Sequence, residues 1–210
     1  MDLAIDKFPK ERFGLVTGSR CSSLVPIKSA EVGMRTLAMQ LANEMYWQTY
    51  DEMETWQTQH GKYSENDAFN HWNQYNTSIG VIKRGRWLKK GNIGGSTDAE
   101  GLDFGVDFKC PTSIHKWLSF LHEDLDKIYY DQAQLYMMLT GHKTWYVAAY
   151  LSETVKMGDT GLVYPVPEEK RMIVKKVELD HNWQIKFITN LPKVIEQRDK
   201  YYETLKEYFK

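Results

Sequence analysis

The sequence predicts an α/β or α+β chain, with a central mixed β-sheet flanked by helices. Three observations lead there. Helical periodicity dominates up to about residue 75, short glycine-punctuated apolar pieces follow, and helical and β-rich runs then alternate to a long closing helix. No internal repeat, low-complexity tract or Gly/Ser linker interrupts the order, so residues 1–210 read as one domain.

Taken in turn, residues 29–50 read as a helix with Leu37, Met39, Leu41 and Met45 as its apolar surface. Residues 64–75 read as a second helix, with Ser64 as its N-cap. The stretch SIGVIKRGRWLKKGNIGGSTDA breaks that period and suggests strands and turns. GLDFGVDFKCP, residues 101–111, follows as a strand closed by Cys110-Pro111. Thr112 or Ser113 caps a helix over TSIHKWLSFLH, and Gly141 stops a stronger one over DKIYYDQAQLYMMLTG. TWYVAAYLS and RMIVKKVELD are β-rich, and a helix from about Trp183 to Tyr208 closes the chain, kinked or broken near Pro192.

Composition narrows the function. The chain is 42% hydrophobic and 13% aromatic, enough for a packed core. Its formal net charge of −1 gives no global sign of a nucleic-acid partner, so only local charge can argue for one. Cys21 and Cys110 are far apart and form no CxxC pair, which speaks against a structural zinc or iron–sulfur site and for reduced thiols in a cytoplasmic protein. The N-terminus has no apolar signal core, and no apolar run is long enough to span a membrane. The six histidines show no metal-binding spacing, and neither a Gly-x-Ser-x-Gly elbow nor a phosphate-binding GxxxxGK[ST] loop is present.

The chemistry gathers near residue 107. Asp107 and Lys109 lie two apart, so a strand points both to one face and sends Val106 and Phe108 to the other, into a core. Asp98 lies nine residues before Asp107, room for a hairpin that brings the carboxylates together. Two such acids with a backbone carbonyl suit Mg2+ or Mn2+, and a neighbouring lysine can orient a water or neutralise charge on phosphorus. A salt-bridged surface hairpin would carry the same residues. The run KRGRWLKK sets Lys83, Arg84, Arg86, Lys89 and Lys90 around Trp87, either a solvated strand face or a patch that tracks phosphates.

These residues resemble the PD-(D/E)XK nuclease superfamily, and within it the phage lambda exonuclease or YqaJ-like viral recombinases. The resemblance rests on RFGLVTGSR (Arg12, Gly14, Thr17, Ser19), GKYSENDA with Glu65, STD and, after eight intervening residues, DFKCP, and YYDQAQLYMMLTGHKTWYVAAY with Gln132. The blocks keep the family order from residue 12 to about 151. Thr97 stands where the family usually has proline, and Asp107 where the closest relatives have glutamate. The hairpin is one residue short, which leaves Asp103 a rival to Asp98 as first metal ligand.

The resemblance implies a restriction-endonuclease-like core and a Mg2+-dependent exonuclease with two ions per site. It would digest double-stranded DNA 5′ to 3′ from a 5′-phosphorylated end and leave 3′ overhangs for a single-strand annealing partner. It implies a homotrimer in the cytoplasm of a bacterial or phage-infected cell. Asp98, Asp107 and Glu65 would bind metal with the Phe108 carbonyl, Lys109 would position water, Gln132 would bond Lys109 or the water, and Arg12 and Ser19 would hold the 5′-phosphate. Another nuclease of the superfamily, cutting internally or with opposite polarity, and an inactive DNA-binding assembly protein are the alternatives.

Overall fold

The structure, a computed structural model, describes residues 10–26, 31–49, 55–157 and 160–210. Its elements run β1 (Val16–Thr17), α1 (Glu31–Trp47), α2 (Trp56–Tyr75), β2 (Lys83–Arg84), β3 (Trp87–Lys90), β4 (Ile93–Ser96), β5 (Ala99–Glu100), β6 (Phe104–Lys109), α3 (Ile114–His122), α4 (Lys127–Thr140), β7 (Thr144–Tyr150), β8 (Thr154–Met157), β9 (Thr160–Val163), β10 (Met172–Glu178) and α5 (His181–Tyr208). The described residues fall into two compact units, one within 1–52, 89–95 and 180–210, the other within 53–88 and 96–179.

The second unit holds a five-stranded mixed sheet in the order β10-β7-β6-β5-β2. β6 and β7 are parallel, and the other pairings are antiparallel. A parallel pair needs a long crossover, and α3 and α4 supply it. Strand alternation then sorts the side chains. Phe104, Val106 and Phe108 of β6, with Ala148 and Tyr150 of β7, pack on Ala68 and Trp72 of α2. Trp145 and Val147 of β7 pack with Ala133, Tyr136 and Met137 of α4. Residue 105 has to be glycine, because a Cβ there would lie 2.1 Å from the Trp145 ring. Burying a side chain of Phe or Leu size contributes about 1.5–3 kcal/mol, so these two clusters hold the sheet in place.

In the other unit α1 packs along α5, and β1 lies parallel to β4, with Val16 opposite Ile93. Arg198 of α5 is buried and donates to Gly14 O (2.7 Å) and Asn92 Oδ1 (3.2 Å). Leu37 and Leu41 are buried, whereas Met39 is exposed.

The capping expectations at Ser113 and Gly141 hold. Ser113 Oγ accepts from Lys116 N, and Gly141 takes the left-handed conformation. Two expectations need correction. The second helix starts at Trp56, capped by Thr55, and Ser64 is buried in its middle. Its buried stripe of His60, Ser64, Ala68, His71 and Trp72 is mostly polar or small, which hid the early turns from a hydrophobic pattern. The closing helix is not broken: it runs continuously through Pro192, with Trp183, Phe187, Val194 and Arg198 as its buried face. The β8–β9 hairpin had no counterpart in the sequence reading.

Candidate active site

The β5–β6 hairpin pairs Ala99 with Val106 and Glu100 with Gly105. The same register, continued one step, sets Asp98 against Asp107. The hairpin is fixed at Asp98: its Oδ2 accepts from Phe108 N (2.7 Å), and its backbone carbonyl accepts from Gly85 N (2.9 Å). Thr97 is used where proline would fail. Its N–H donates to Arg86 O (3.2 Å), and its hydroxyl accepts from Arg86 N (3.1 Å) and donates to Glu100 (2.8 Å). Proline has neither group.

On the face of β6 away from α2, Lys109 forms an ion pair with the buried Asp107. Lys109 Nζ also donates to Gln132 Oε1 (3.0 Å) and lies 4.7 Å from the centre of the Tyr129 ring. Gln132 in turn donates to Tyr136 Oη (3.0 Å), which orients its amide oxygen toward the lysine. Glu65 of α2 adds a third carboxylate, with Arg84 Nη1 3.8 Å from its Oε1.

Electrostatics tie these groups into one cluster. Burial, then the charges of Asp107 and Glu65, push Asp98 well above the usual carboxylate range, against the opposing pull of Lys109 and the Phe108 N–H. Burial also raises Glu65, with Asp107 adding to it and Arg84 and Lys109 opposing. Burial alone would lower Lys109, but Asp107 and Asp98 outweigh it, so the ammonium is held above its usual value. The Cys110 thiol is pushed up to about 12 by burial and the nearby acids, and stays neutral. Three acids facing one lysine leave surplus negative charge, and the donors are hard oxygens, so the cluster fits a divalent cation. Among the described residues no three His, Cys, Asp or Glu side chains converge as a finished metal shell. Asp107 is turned to Lys109, and Asp98 Oδ2 to the Phe108 N–H.

The structure thus brings together Asp98, Asp107, Lys109, Glu65 and Gln132, and puts the Phe108 side chain in the core below them. Asp103 is exposed, just before β6. Arg12 and Ser19 lie in the other unit, Arg12 half-buried and Ser19 exposed just ahead of a short 3-10 turn at Cys21–Leu24. Lys83, Arg84, Arg86, Lys89 and Lys90 are all exposed, but two of them are engaged by acids: Arg84 by Glu65, and Arg86 by Glu100 (3.6 Å). Sequence reasoning missed Tyr136 as the support of Gln132. It also missed a cleft of about 800 Å3 beside Lys109, lined in part by Lys62, Lys116, Tyr129 and Lys175. These lysines are scattered in sequence, so no charge run announced them.

No protein-family model and no curated protein matches the sequence. Solved structures do resemble the fold. An alkaline exonuclease from Laribacter hongkongensis superposes with a TM-score of 0.75 at 18% identity, over 94% of each chain. The same enzyme in complex with dAMP gives 0.74 at 17% identity, over 97% of each. A phage-related exonuclease from Haemophilus somnus gives 0.73 at 17% identity, over 93% of this chain and 96% of that one. The helix-flanked mixed sheet expected from the sequence is therefore the fold of this chain, shared with these solved exonucleases.

Proposed function

We propose that the chain is a metal-dependent DNA exonuclease that degrades one strand of a duplex from its 5′ end and leaves 3′ overhangs for strand annealing in recombination. The observation that carries this reading is the Asp98–Asp107–Glu65–Lys109–Gln132 cluster, seated on a fold shared with solved exonucleases.

Asp98, Asp107 and Glu65, with the Phe108 carbonyl, would hold Mg2+ or Mn2+, two ions per site. Such an ion, when bound, polarises a phosphoryl oxygen and lowers the pKa of a bound water. Lys109 does the rest as a cation. Its neighbours favour the charged form, so it donates a hydrogen bond to the attacking water and offsets charge growing on the phosphate; it would act as the base only if the bound ions depressed its pKa. Gln132, itself held by Tyr136, keeps the ammonium from swinging away. Cys110, kept protonated, is no nucleophile.

Arg12 and Ser19 are proposed to recognise the 5′-phosphate, since a guanidinium fork matches phosphate oxygens. The cleft beside Lys109 is lined by Lys62 and Lys116 as well as by Glu123, Asp124 and Asp126, and we place the scissile end of the DNA at its Lys109 side. The dAMP bound by the similar exonuclease supports a mononucleotide as product. A near-neutral chain that must hold DNA through many cuts is best served by a ring, and a homotrimer enclosing the duplex is the proposed assembly, feeding an annealing protein.

The test is an end-labelled linear duplex, with 5′-phosphate or 5′-hydroxyl ends, incubated with and without Mg2+. Mononucleotides released from 5′-phosphorylated ends only with Mg2+ are expected. Release from the 3′ end, nicking of closed circles, or binding without cleavage would each overturn the reading. Arg12→Ala should remove the preference for 5′-phosphate, a loss of about 1.5–3 kcal/mol for a charged hydrogen bond. Light scattering reads the trimer: a fully active monomer would refute it.

A further inference from the structure

Arg84 sits in the basic run that the sequence offered to DNA, yet its guanidinium is committed to α2. Nη2 bonds Asn66 Oδ1, Cζ lies 4.0 Å from the centre of the Phe69 ring, and Nη1 is 3.8 Å from Glu65 Oε1. All three partners lie within two turns of α2, the helix that carries Glu65. The segment holding Arg84 is itself clamped to that helix. Asn73 takes the N–H of Ile82 on its Oδ1 (3.0 Å) and donates from Nδ2 to the Ile82 carbonyl (3.2 Å), and Trp72 Nε1 donates to Gly80 O (2.9 Å). On its other side the segment pairs with β5, Arg84 opposite Ala99, and Gly85 N holds the Asp98 carbonyl. One short strand thereby joins the helix of Glu65 to the backbone of Asp98.

We infer that Arg84 is a positioning residue that sets the Glu65 carboxylate against the Asp98–Asp107 pair, and that it is not a DNA phosphate contact. A phosphate would have to draw the guanidinium off Asn66 and Phe69 before it could use the fork. The inference rests on the reading of Glu65 as part of the hydrolytic site.

Two measurements test it. The first is duplex binding without divalent ions as salt is raised. Arg84→Ala should leave the slope of log K against log salt unchanged, whereas loss of a phosphate contact lowers it by about 0.9. The second is a double-mutant cycle of Arg84→Ala and Glu65→Gln in single-turnover cleavage. Arg84→Ala alone should slow cleavage about tenfold or more, Arg84→Lys should recover part of the rate, and Arg84→Ala added to Glu65→Gln should cost nothing further. A reduced salt slope, or an equal loss in both backgrounds, overturns the inference. If the wild-type protein cleaves no DNA, the hydrolytic reading falls alone. The salt slope and the same cycle read in melting temperature then decide the contact: additive shifts in Tm refute it.

Discussion

The two faces of β6 are made by alternate residues of one strand, and they do different work. Toward α2 it presents Phe104, Val106 and Phe108, all buried in an apolar cluster. Toward the other side it presents Gly105, then Asp107 and Lys109. Gly105 admits the Trp145 ring on that face, and the charged residues begin two residues later. The lesson is that a pleat of period two lets a charged site sit one residue from the core that supports it. β6 is paired with β7 along its whole length and with β5 at Gly105 and Val106, so its backbone stays in place while Asp107 is held between its partner Lys109 and the like charge of Asp98.

The largest effects should split along that line. Asp107→Asn and Lys109→Ala should each lower single-turnover cleavage by at least about a hundredfold, since losing one group of this kind costs about 3–4 kcal/mol in the transition state. Thermal unfolding of Asp107→Asn should stay close to that of the wild type, whereas Lys109→Ala, which strips the buried Asp107 of its partner, should lose stability as well. Phe108→Ala should do the reverse first, destabilising the fold by about 3–5 kcal/mol in urea unfolding. If Asp107→Asn melts as early as Phe108→Ala, the two faces are not separable and the comparison is broken.

Gly105→Ala sharpens it from the charged side. The added methyl meets a fully buried ring, so it should cost about 1–3 kcal/mol of stability by overpacking. It should also slow cleavage, because Trp145 packs on the same helix, α4, that presents Gln132. An unfolding curve matching the wild type would mean that Trp145 relaxes freely.

The sequence shows the core face of β6 and the acid–acid–lysine spacing because both follow from alternation, which is local. The parallel partner β7 and the crossover helix α4 are legible as element types for the same reason. What stayed hidden was decided by tertiary contact. The first two turns of α2 carry a polar buried stripe, so no apolar period marks them. Pro192 forecasts a break, but the helix on either side is anchored by Phe187 and Val194, and burial outweighs the missing hydrogen bond. Arg84 and Arg86 read as one charge run, whereas the fold hands each to a different acid, Glu65 and Glu100. Tyr136 looks like any core aromatic until Gln132 is seen on its hydroxyl.

A smaller effect comes from the α2 side of the sheet. His71 is buried against Tyr150, with its Nε2 2.6 Å from the Glu168 carbonyl. That contact makes Nε2 the protonated nitrogen of the neutral ring, and its buried Nδ1 has no hydrogen-bond partner among the described residues. Burial lowers its pKa below the ordinary 6.5, more than Glu168 raises it. A folded value below the unfolded one means that the unfolded chain binds the extra proton first. His71 therefore contributes stability that is full above 6.5 and is lost as pH falls through the folded value. His60, lowered by burial, acts in the same direction, and the raised Asp98 acts in the opposite one. The comparison of wild type with His71→Gln isolates the one residue. Urea stability of the wild type should drop more between pH 7.5 and 5.5 than that of the variant, and equal drops would refute the assignment.

The smallest effect should come from Asp103, which belongs to neither face. It lies exposed in the bend before β6, while Asp98 is tied to the Phe108 N–H and coupled to Asp107. Sequence alone left the two as rivals for the first metal position. The structure separates them by environment: a carboxylate pushed up by burial and two neighbouring acids gains most from a cation, and an exposed one is already served by water. Asp103→Asn should then leave stability within about 0.5 kcal/mol and the cleavage rate close to that of the wild type, as an exposed substitution away from the site does. Asp98→Asn should cost as much cleavage as Asp107→Asn. The measurement is single-turnover cleavage at saturating Mg2+, so that a weaker ion affinity does not hide as a slower step. A severe loss in Asp103→Asn beside an active Asp98→Asn would move the site off the buried face of the hairpin, and the division between the two sides of β6 would go with it.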